Sequence, residues 1–131
     1  MDLKEGKESM DRIITIGERE VKFRATARTP RLYRMLINRD MIIDMNSLGE
    51  AFRKAKEAKD NGEASGLTTE NLMIFEDAAY VMARHANPEM EEKSPDEWLD
   101  TFDMFDIYDI LPELLDLWNM NTATTAESKK K

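Results

Sequence analysis

The sequence predicts a mainly α fold, a small helical domain of about five helices with an N-terminal β-hairpin. Glycine and proline are few, at five and four among 131 residues. Strong helix formers (Leu, Met, Ala, Glu, Lys and Arg) dominate after Pro30, and apolar residues recur there at helical spacing. Before Pro30, two β-rich runs flank Gly17, a pattern typical of a hairpin.

The hairpin is predicted from alternation along these two runs. Ile14 and Ile16 are in phase on the first run, and the second run has three apolar residues in phase: Val21, Phe23 and Ala25. Gly17 marks the turn. Because an isolated hairpin is only marginally stable in water, its apolar face is expected to pack on the helices.

The first helix is predicted to start at Thr29-Pro30, where a hydroxyl N-cap is followed by proline at the first helical position. It should end near Asn38. Three of its residues are expected to face the core: Leu32, Leu36 and Tyr33. This orientation leaves a basic outer side, formed by Arg31, Arg34 and Arg39.

Two more helices are predicted in the middle of the chain. Asp40 is expected to cap the second helix, whose apolar positions precede the polar run over residues 53–60: Met41, Met45, Leu48 and Phe52. After a loop over residues 61–66, Thr68 or Thr69 should cap a third helix that reaches His85. Its apolar positions recur at helical spacing: Leu72, Phe75, Ala79, Met82 and Ala86.

The C-terminal part begins with a capping box, Ser94-Pro95-Asp96-Glu97, which opens a short helix. A last helix is expected from Tyr108 to about Trp118, with Pro112 either delaying its start or kinking it. Trp98 and Trp118 lie in apolar helical patterns and are predicted to be core anchors. The domain should cover residues 12–119, between a flexible N-terminus over residues 1–11 and a disordered tail over residues 120–131.

Charge is unevenly distributed in this chain of net charge −8. Residues 1–60 carry 14 Lys and Arg against 11 Asp and Glu, whereas residues 61–131 carry 5 against 16. An acidic half disfavours nucleic-acid phosphates and favours basic or helical protein partners, although it could equally be a solvated face that keeps the protein soluble. The ten methionines could line an adaptable binding surface or fill an irregular core.

The sequence shows no catalytic or metal-binding motif, so neither an enzyme nor a cofactor is expected. The absence of cysteine excludes disulfides and thiolate chemistry and is compatible with a reducing cytosol. The N-terminal residues have no apolar stretch of signal-peptide length. The single histidine, His85, is interpreted as an imidazolium suited to a helix C-terminus. A series of carboxylates lacks the central glycine and the terminal glutamate of a calcium loop: Asp96, Glu97, Asp100, Asp103, Asp106 and Asp109.

Short segments stand in a characteristic order along the chain. The first half contains Thr15-Ile16-Gly17, residues 21–26, residues 29–34 and Arg39-Asp40, and the second half contains residues 72–75, residues 78–83, Glu97-Trp98-Leu99 and Leu117-Trp118. In this order and spacing, over about residues 12–119, they resemble siphophage tail assembly chaperones. Each segment alone is weakly specific, and the specificity lies in their joint order.

The resemblance implies a helical protein in the cytoplasm of the bacterial host that binds the long helical tape measure protein and shields it from aggregation. It implies help in recruiting the tail tube protein, and departure before the virion is complete. The family commonly makes a longer product by programmed ribosomal frameshift near the end of the shorter frame. Lys129 to Lys131 would suit an A-rich slippery stretch there, and a solubilising lysine tail is the alternative.

The partner-binding surface is predicted in the acidic C-terminal helices. The stretch from Trp98 to Trp118 holds more large apolar groups than one side of two short helices can bury, so some should meet another chain. The expected contacts are Met104, Phe105, Ile107 and Tyr108, framed by Asp103, Asp106 and Asp109. Self-association through the oppositely charged halves competes with partner binding, and the helix from Met41 to Phe52 is the next candidate surface.

Two other functional classes remain open. A DNA-linked regulator would use arginines of the N-terminal half, Arg24, Arg28, Arg31 and Arg34, but the turn between Asn38 and Met41 is a poor match to a helix-turn-helix. A hydrolase would need a convergent catalytic set that the sequence does not show. A generic helical adaptor is what the residues alone, without the resemblance, would indicate.

Overall fold

The computed structural model describes residues 10–60 and 66–119. The described chain forms strands β1 (Asp11–Ile16) and β2 (Arg19–Arg24), then helices α1 (Thr29–Ile37), α2 (Met41–Asp60), α3 (Thr69–Ala86) and α4 (Pro95–Leu99), a 3-10 helix (Asp106–Ile110) and helix α5 (residues 111–119). The prediction of about five helices after an N-terminal hairpin is confirmed. The predicted C-terminal tail and most of the predicted flexible N-terminus lie outside the described residues.

The hairpin follows the predicted alternation. β1 and β2 pair antiparallel with Ile14 opposite Val21, and the inward side chains of Ile14, Ile16, Phe23 and Ala25 are buried. The strand starts at Asp11, one residue before the predicted domain, because the Asp11 carboxylate accepts a 2.7 Å hydrogen bond from Arg24 directly opposite. β2 packs on α3, so the hairpin is stabilised by the helices, as expected for an isolated two-stranded sheet.

Helix α3 is the centre of the domain. It contacts β2, α1, α2 and α4, and its buried side chains run from Phe75 to His85. Small residues on this helix, Ala78, Ala79 and Ala83, are fully buried and let neighbouring elements approach closely. Thr68 caps it in a reciprocal box with Asn71, which confirms the first of the two predicted caps.

Two of the other three predicted caps, at Asp40 and Ser94, are also present. Asp40 Oδ1 accepts from the Ile43 amide at 3.1 Å at the start of α2, and Ser94 Oγ accepts from the Glu97 amide at 3.2 Å at the start of α4. The Glu97 carboxylate accepts from the Lys93 amide at 2.9 Å, one residue before the position that a reciprocal box requires. The box at Ser94 is therefore only half formed by the predicted pair.

Helix α1 differs from the prediction in its start and in its rotation. The N-cap residue is Arg28, and Thr29 lies in the first turn with its side chain buried. Tyr33 is fully buried and Leu36 is 42% exposed, so the buried side is centred on Tyr33. The apolar pattern of these nine residues fits a buried side centred on Leu32 and Leu36 as well as one centred on Tyr33. The packing of Tyr33 between α2 and α3 selects the second arrangement.

The polar run over residues 53–60 remains helical, so α2 is longer than predicted. Exposed ion pairs at helical spacing support it: Arg53 contacts Glu57 at 2.8 Å and Lys54 contacts Glu50 at 3.7 Å. Each such pair adds only about 0.2–0.5 kcal/mol to helix stability. The sequence prediction relied on apolar periodicity alone and therefore missed this last part of the helix.

A polar cluster joins the turn after α1 to α2 and α3. Arg39 donates to Asp44 Oδ2 at 2.8 Å, to Asp77 Oδ2 at 2.8 Å and to the Tyr33 hydroxyl at 2.9 Å, and that hydroxyl donates to Asp44 at 2.7 Å. Burial alone would lower the pKa of Arg39, but the hydrogen bonds to the two carboxylates outweigh it and raise the pKa above its usual value. Arg39 is thus a structural cross-link, and its predicted place on a basic outer side is wrong.

The C-terminal helix starts late, one of the two outcomes predicted for Pro112. The chain turns through the 3-10 helix first, and Pro112 lies in the first turn of α5, where its missing amide hydrogen costs nothing. Leu111, Leu114 and Leu117 are buried, and Trp118 is only 9% exposed. Trp98 is 2% exposed, so both tryptophans are buried as predicted.

Candidate partner-binding surface

The predicted surface lies on residues 100–109, which we call the acidic segment. The first residues of this segment contact the rest of the domain. Thr101 Oγ1 donates to the Trp98 carbonyl oxygen at 2.6 Å, the Arg19 guanidinium lies 3.9 Å from the centre of the Phe102 ring, and Arg19 also donates to Thr101 at 2.9 Å. Arg19, just after the hairpin turn, therefore contacts the start of the segment on one side, and the hydrogen bond to Trp98 joins the segment to the core.

The hairpin turn also approaches the other end of the segment. Gly17 has φ +64°, and a β-carbon at this position would lie 2.5 Å from Asp106 Oδ2. The left-handed backbone favours glycine here, and a larger residue would also displace the Asp106 carboxylate. Asp106 is half-buried by this contact.

Between Phe102 and Asp106, the side chains of Met104 and Phe105 project into solvent. They are 77% and 71% exposed, the highest values among the large apolar side chains of the described residues. The neighbouring carboxylates Asp100, Asp103 and Asp109 are exposed, and within residues 10–60 and 66–119 none of them forms an ion pair. The result is an exposed apolar tip, flanked along the chain by carboxylates that form no ion pair with the described residues.

Two of the predicted apolar contacts, Ile107 and Tyr108, are not exposed on this surface. Ile107 is 3% exposed and belongs to the core, so its prediction as an exposed contact is wrong. In the 3-10 helix side chains three residues apart share one side, and Ile107 and Ile110 therefore both point inward, whereas Met104 and Phe105 precede the helix. Sequence reasoning treated the whole stretch as one α-helical surface and missed this difference.

Tyr108 is half-buried and has a structural role at the edge of the surface. Its hydroxyl donates to Glu76 Oε2 at 2.6 Å, and its ring lies 6.1 Å from that of Phe75. The hydrogen bond to Glu76, assisted by burial, raises the pKa of Tyr108 to about 12, so the phenol remains a donor at neutral pH. Asp103, Met104, Phe105 and Asp109 are the four predicted residues that are exposed.

A second group of exposed apolar residues overlaps the next candidate surface, the helix from Met41 to Phe52, and its members on α1 were not predicted. It lies at the end of α1 and the start of α2 and comprises Met35, Leu36, Ile42 and Ile43. The arginines of α1 beside it, Arg31 and Arg34, are exposed and form no ion pair within the described part of the chain. The signal was present in the sequence as an Ile42-Ile43 pair, of which a single helix can bury only one member.

The environment of His85 differs from the predicted helix-end imidazolium. Its Nδ1 lies 3.1 Å from Thr29 Oγ1, which joins α3 to α1, and the side chain is buried. Burial lowers the pKa of His85 below 6.5, and the positive charges of Arg24 and Arg28 lower it further against the opposing effect of Asp11. Thr29 is fully buried and already accepts from the Thr26 amide at 2.8 Å, so this hydroxyl–imidazole pair is closed to a substrate.

The His85 environment predicts a pH-dependent loss of stability. A histidine with a lowered folded pKa resists protonation that the unfolded chain accepts near pH 6.5, so its contribution is complete above that pH and is lost as the pH falls toward the folded pKa. We expect the Tm to fall from about pH 7 to about pH 5. In His85→Gln, which keeps a polar partner for Thr29, the Tm should change less over the same window. Parallel slopes of Tm against pH for both proteins would contradict the assignment.

Other kinds of site find no support in the described residues. No three His, Asp or Glu side chains in this part of the chain lie close enough together to hold a metal ion. None of the described helices combines the length and the apolarity needed to cross a membrane.

Comparison with known proteins gives no further guide to this surface. No protein-family model matches the chain, and neither a curated protein nor a solved structure matches it.

Proposed function

We propose that this protein is a tail assembly chaperone of a long-tailed phage. In this role it binds the tape measure protein in the cytoplasm of the bacterial host, assists tail tube assembly and leaves before the virion is complete. It acts by binding and without catalysis. The observation that carries the proposal is the exposed Met104–Phe105 tip, which follows the anchored residues Thr101 and Phe102 and is flanked by exposed carboxylates that form no ion pair among the described residues.

The tip has the properties that temporary cover of an apolar helix requires. Burying a Phe or Met side chain against a partner contributes roughly 1.5–3 kcal/mol. The contacts that Thr101 and Phe102 make with Arg19 and Trp98 reduce the entropy cost of ordering the acidic segment on binding, because less backbone freedom remains to be lost.

The carboxylates of the acidic segment should speed the association of a basic partner by electrostatic attraction. Asp100, Asp103 and Asp109 are exposed and unpaired among the described residues, so a basic partner is attracted before contact is made. The resemblance to tail assembly chaperones supplies the identity of that partner, a long amphipathic tape measure helix. The same resemblance supports the tail tube protein as a second partner, recruited through a frameshifted longer product.

The proposal predicts that anchoring and steering can be separated by mutation. The double variant Met104→Ser with Phe105→Ser should mainly speed dissociation of the tape measure, whereas Asp103→Lys with Asp109→Lys should mainly slow association, more at low salt. The measurement is the soluble yield of the tape measure protein on co-expression, followed by the association and dissociation rates of the purified pair.

A matched control comes from the other exposed apolar group. Met35→Ser with Ile43→Ser removes side chains of similar exposure, 68% and 65%, away from the acidic segment. This control should retain binding. The proposal fails if the Met104–Phe105 variant is folded and keeps the tape measure soluble at the wild-type ratio.

A DNA-linked regulator is the second candidate function, favoured by one observation. Arg28, the N-cap of α1, and Arg31 and Arg34 on α1 are exposed and form no ion pair within residues 10–60 and 66–119. DNA affinity that falls steeply with salt and is lost in Arg31→Ala with Arg34→Ala would support this candidate. The net charge of −8 opposes it.

A further inference from the structure

Exposed apolar side chains are concentrated in two places on this domain. Nine large apolar residues are exposed in the described part of the chain, and six of them belong to two groups. One group is the Met104–Phe105 tip. The other, which we call the α1–α2 patch, lies on either side of the turn over residues 38–40 and comprises Met35, Leu36, Ile42 and Ile43. We infer that the tip of one copy of this chain binds the α1–α2 patch of a second copy.

The α1–α2 patch carries positive charge that the domain does not neutralise. Arg31 and Arg34 lie one turn apart on α1, both are exposed, and neither forms an ion pair with a described residue. Residues 28–43 contain four arginines and a single carboxylate, Asp40. The patch therefore remains basic even though Arg39 is already paired with two carboxylates of the domain.

The tip has the opposite charge. The acidic segment that contains it has no Lys or Arg among residues 100–109. Three of its carboxylates are exposed and form no ion pair with the described residues: Asp100, Asp103 and Asp109. Arg19 reaches this segment, but its guanidinium lies over the Phe102 ring and not on a carboxylate. The negative charge around the tip therefore remains available to a partner.

These charges decide which surfaces of two copies can meet. A net charge of −8 makes two copies repel each other in most orientations. Two tips would bring carboxylates together and two patches would bring arginines together, and like charges at an interface are unfavourable. Only the contact of a tip with a patch places apolar side chains against each other and opposite charges beside them.

The contact has to form between molecules. Met104 is 77% exposed and Ile43 is 65% exposed, so the tip and the patch of one molecule do not cover each other. Two side chains against four make a small interface, and interfaces below roughly 1,200 Å² belong to weak, transient complexes. We therefore expect association at high protein concentration and rapid exchange between copies.

The inference goes beyond the proposed function and does not rest on it. It concerns what covers the tip when no tape measure protein is bound. A second copy and the tape measure would compete for Met104 and Phe105, whereas the α1–α2 patch would serve self-association alone.

The experiment measures the sedimentation velocity of the full chain from about 5 to about 500 µM, a range suited to a weak complex. Arg31→Glu with Arg34→Glu makes the patch acidic, and Asp103→Arg with Asp109→Arg makes the tip basic. Each double variant alone should associate at least about tenfold more weakly than wild type, because like charges then face each other. The chain that carries all four changes should associate again, since its basic tip meets an acidic patch.

Mixing provides a second test of the same contact. In an equimolar mixture of the two double variants, the unaltered tip of one should bind the unaltered patch of the other. The mixture should therefore associate although neither variant does so alone. This result would also show that both variants are folded.

Two control variants separate the patch from general effects. Lys56→Glu with Lys59→Glu reverses two exposed cations with the same spacing as Arg31 and Arg34, about 20 Å along α2 from Ile43, and should associate like wild type. Met35→Ser with Ile43→Ser keeps every charge and should lose self-association. The same variant should still keep the tape measure soluble, which distinguishes the two uses of the tip.

Several results would overturn the inference. A wild-type chain that stays monomeric up to the highest concentration, yet keeps the tape measure soluble, would refute it and leave the proposed function standing. Association that neither charge reversal weakens would place the interface elsewhere. A mixture of folded double variants that remains monomeric would exclude the contact of tip with patch. Loss of the tape measure in Met35→Ser with Ile43→Ser, beside a monomeric wild type, would assign the patch to the tape measure.

Discussion

Replacing Trp98 with alanine should lower the free energy of unfolding by about 3–5 kcal/mol, the cost of emptying a large buried aromatic site. Trp98 is 2% exposed and contacts three other rings. Its ring centre lies 5.0 Å from Phe102, 6.0 Å from Tyr80 and 6.3 Å from Phe23, two of these in edge-to-face geometry. These contacts join the hairpin, α3, α4 and the acidic segment, so no single element can move to fill the space.

The matched control for this prediction is Phe105→Ala, which truncates an aromatic residue that is 71% exposed. It should change stability by less than about 0.5 kcal/mol, as surface substitutions usually do. Urea denaturation of the two variants and the wild type provides the measurement. A loss below about 1.5 kcal/mol for Trp98→Ala would mean that the site collapses and that Trp98 is less important to the core than its burial indicates.

Arg39→Ala should be the next most destabilising of the changes considered, at about 2 kcal/mol. Its removal leaves Asp44 and Asp77, whose side chains are 15% and 16% exposed, without their cation. A poorly hydrated charged group that loses its partner costs roughly 1–3 kcal/mol, and the 38% exposure of Arg39 itself reduces the effect through solvent screening. Arg39→Lys should recover only part of the loss, because one ammonium cannot reproduce the planar fork that reaches three acceptors.

Arg53→Ala is the control for the Arg39 prediction. Arg53 contacts Glu57 at the same 2.8 Å distance, but both side chains are more than half exposed. Its loss should change stability by no more than about 0.5 kcal/mol. Similar losses for Arg39→Ala and Arg53→Ala would show that the Tyr33–Arg39–Asp44–Asp77 cluster contributes no more than a surface ion pair.

The sequence predicted that the stretch between Trp98 and Trp118 has exposed apolar residues, but it did not predict all of them correctly. An excess of large apolar residues between Trp98 and Trp118 correctly indicated that some remain exposed, and Met104 and Phe105 do. Which residues these are depends on the 3-10 turn that buries Ile107.

The sequence by itself determined the mainly α class, the hairpin and its inward side, the caps at Asp40, at Thr68 or Thr69 and at Ser94, and the burial of both tryptophans. These features depend on residues within about one turn or one strand of each other, where backbone hydrogen bonding and apolar spacing are decisive. Only the tertiary structure decided the contacts of Arg39 with Asp44 and Asp77 and the lowered pKa of His85. Both follow from contacts with α3 or α1 across the domain, and desolvation and ion pairing act through distance in space, which spacing along the chain does not specify.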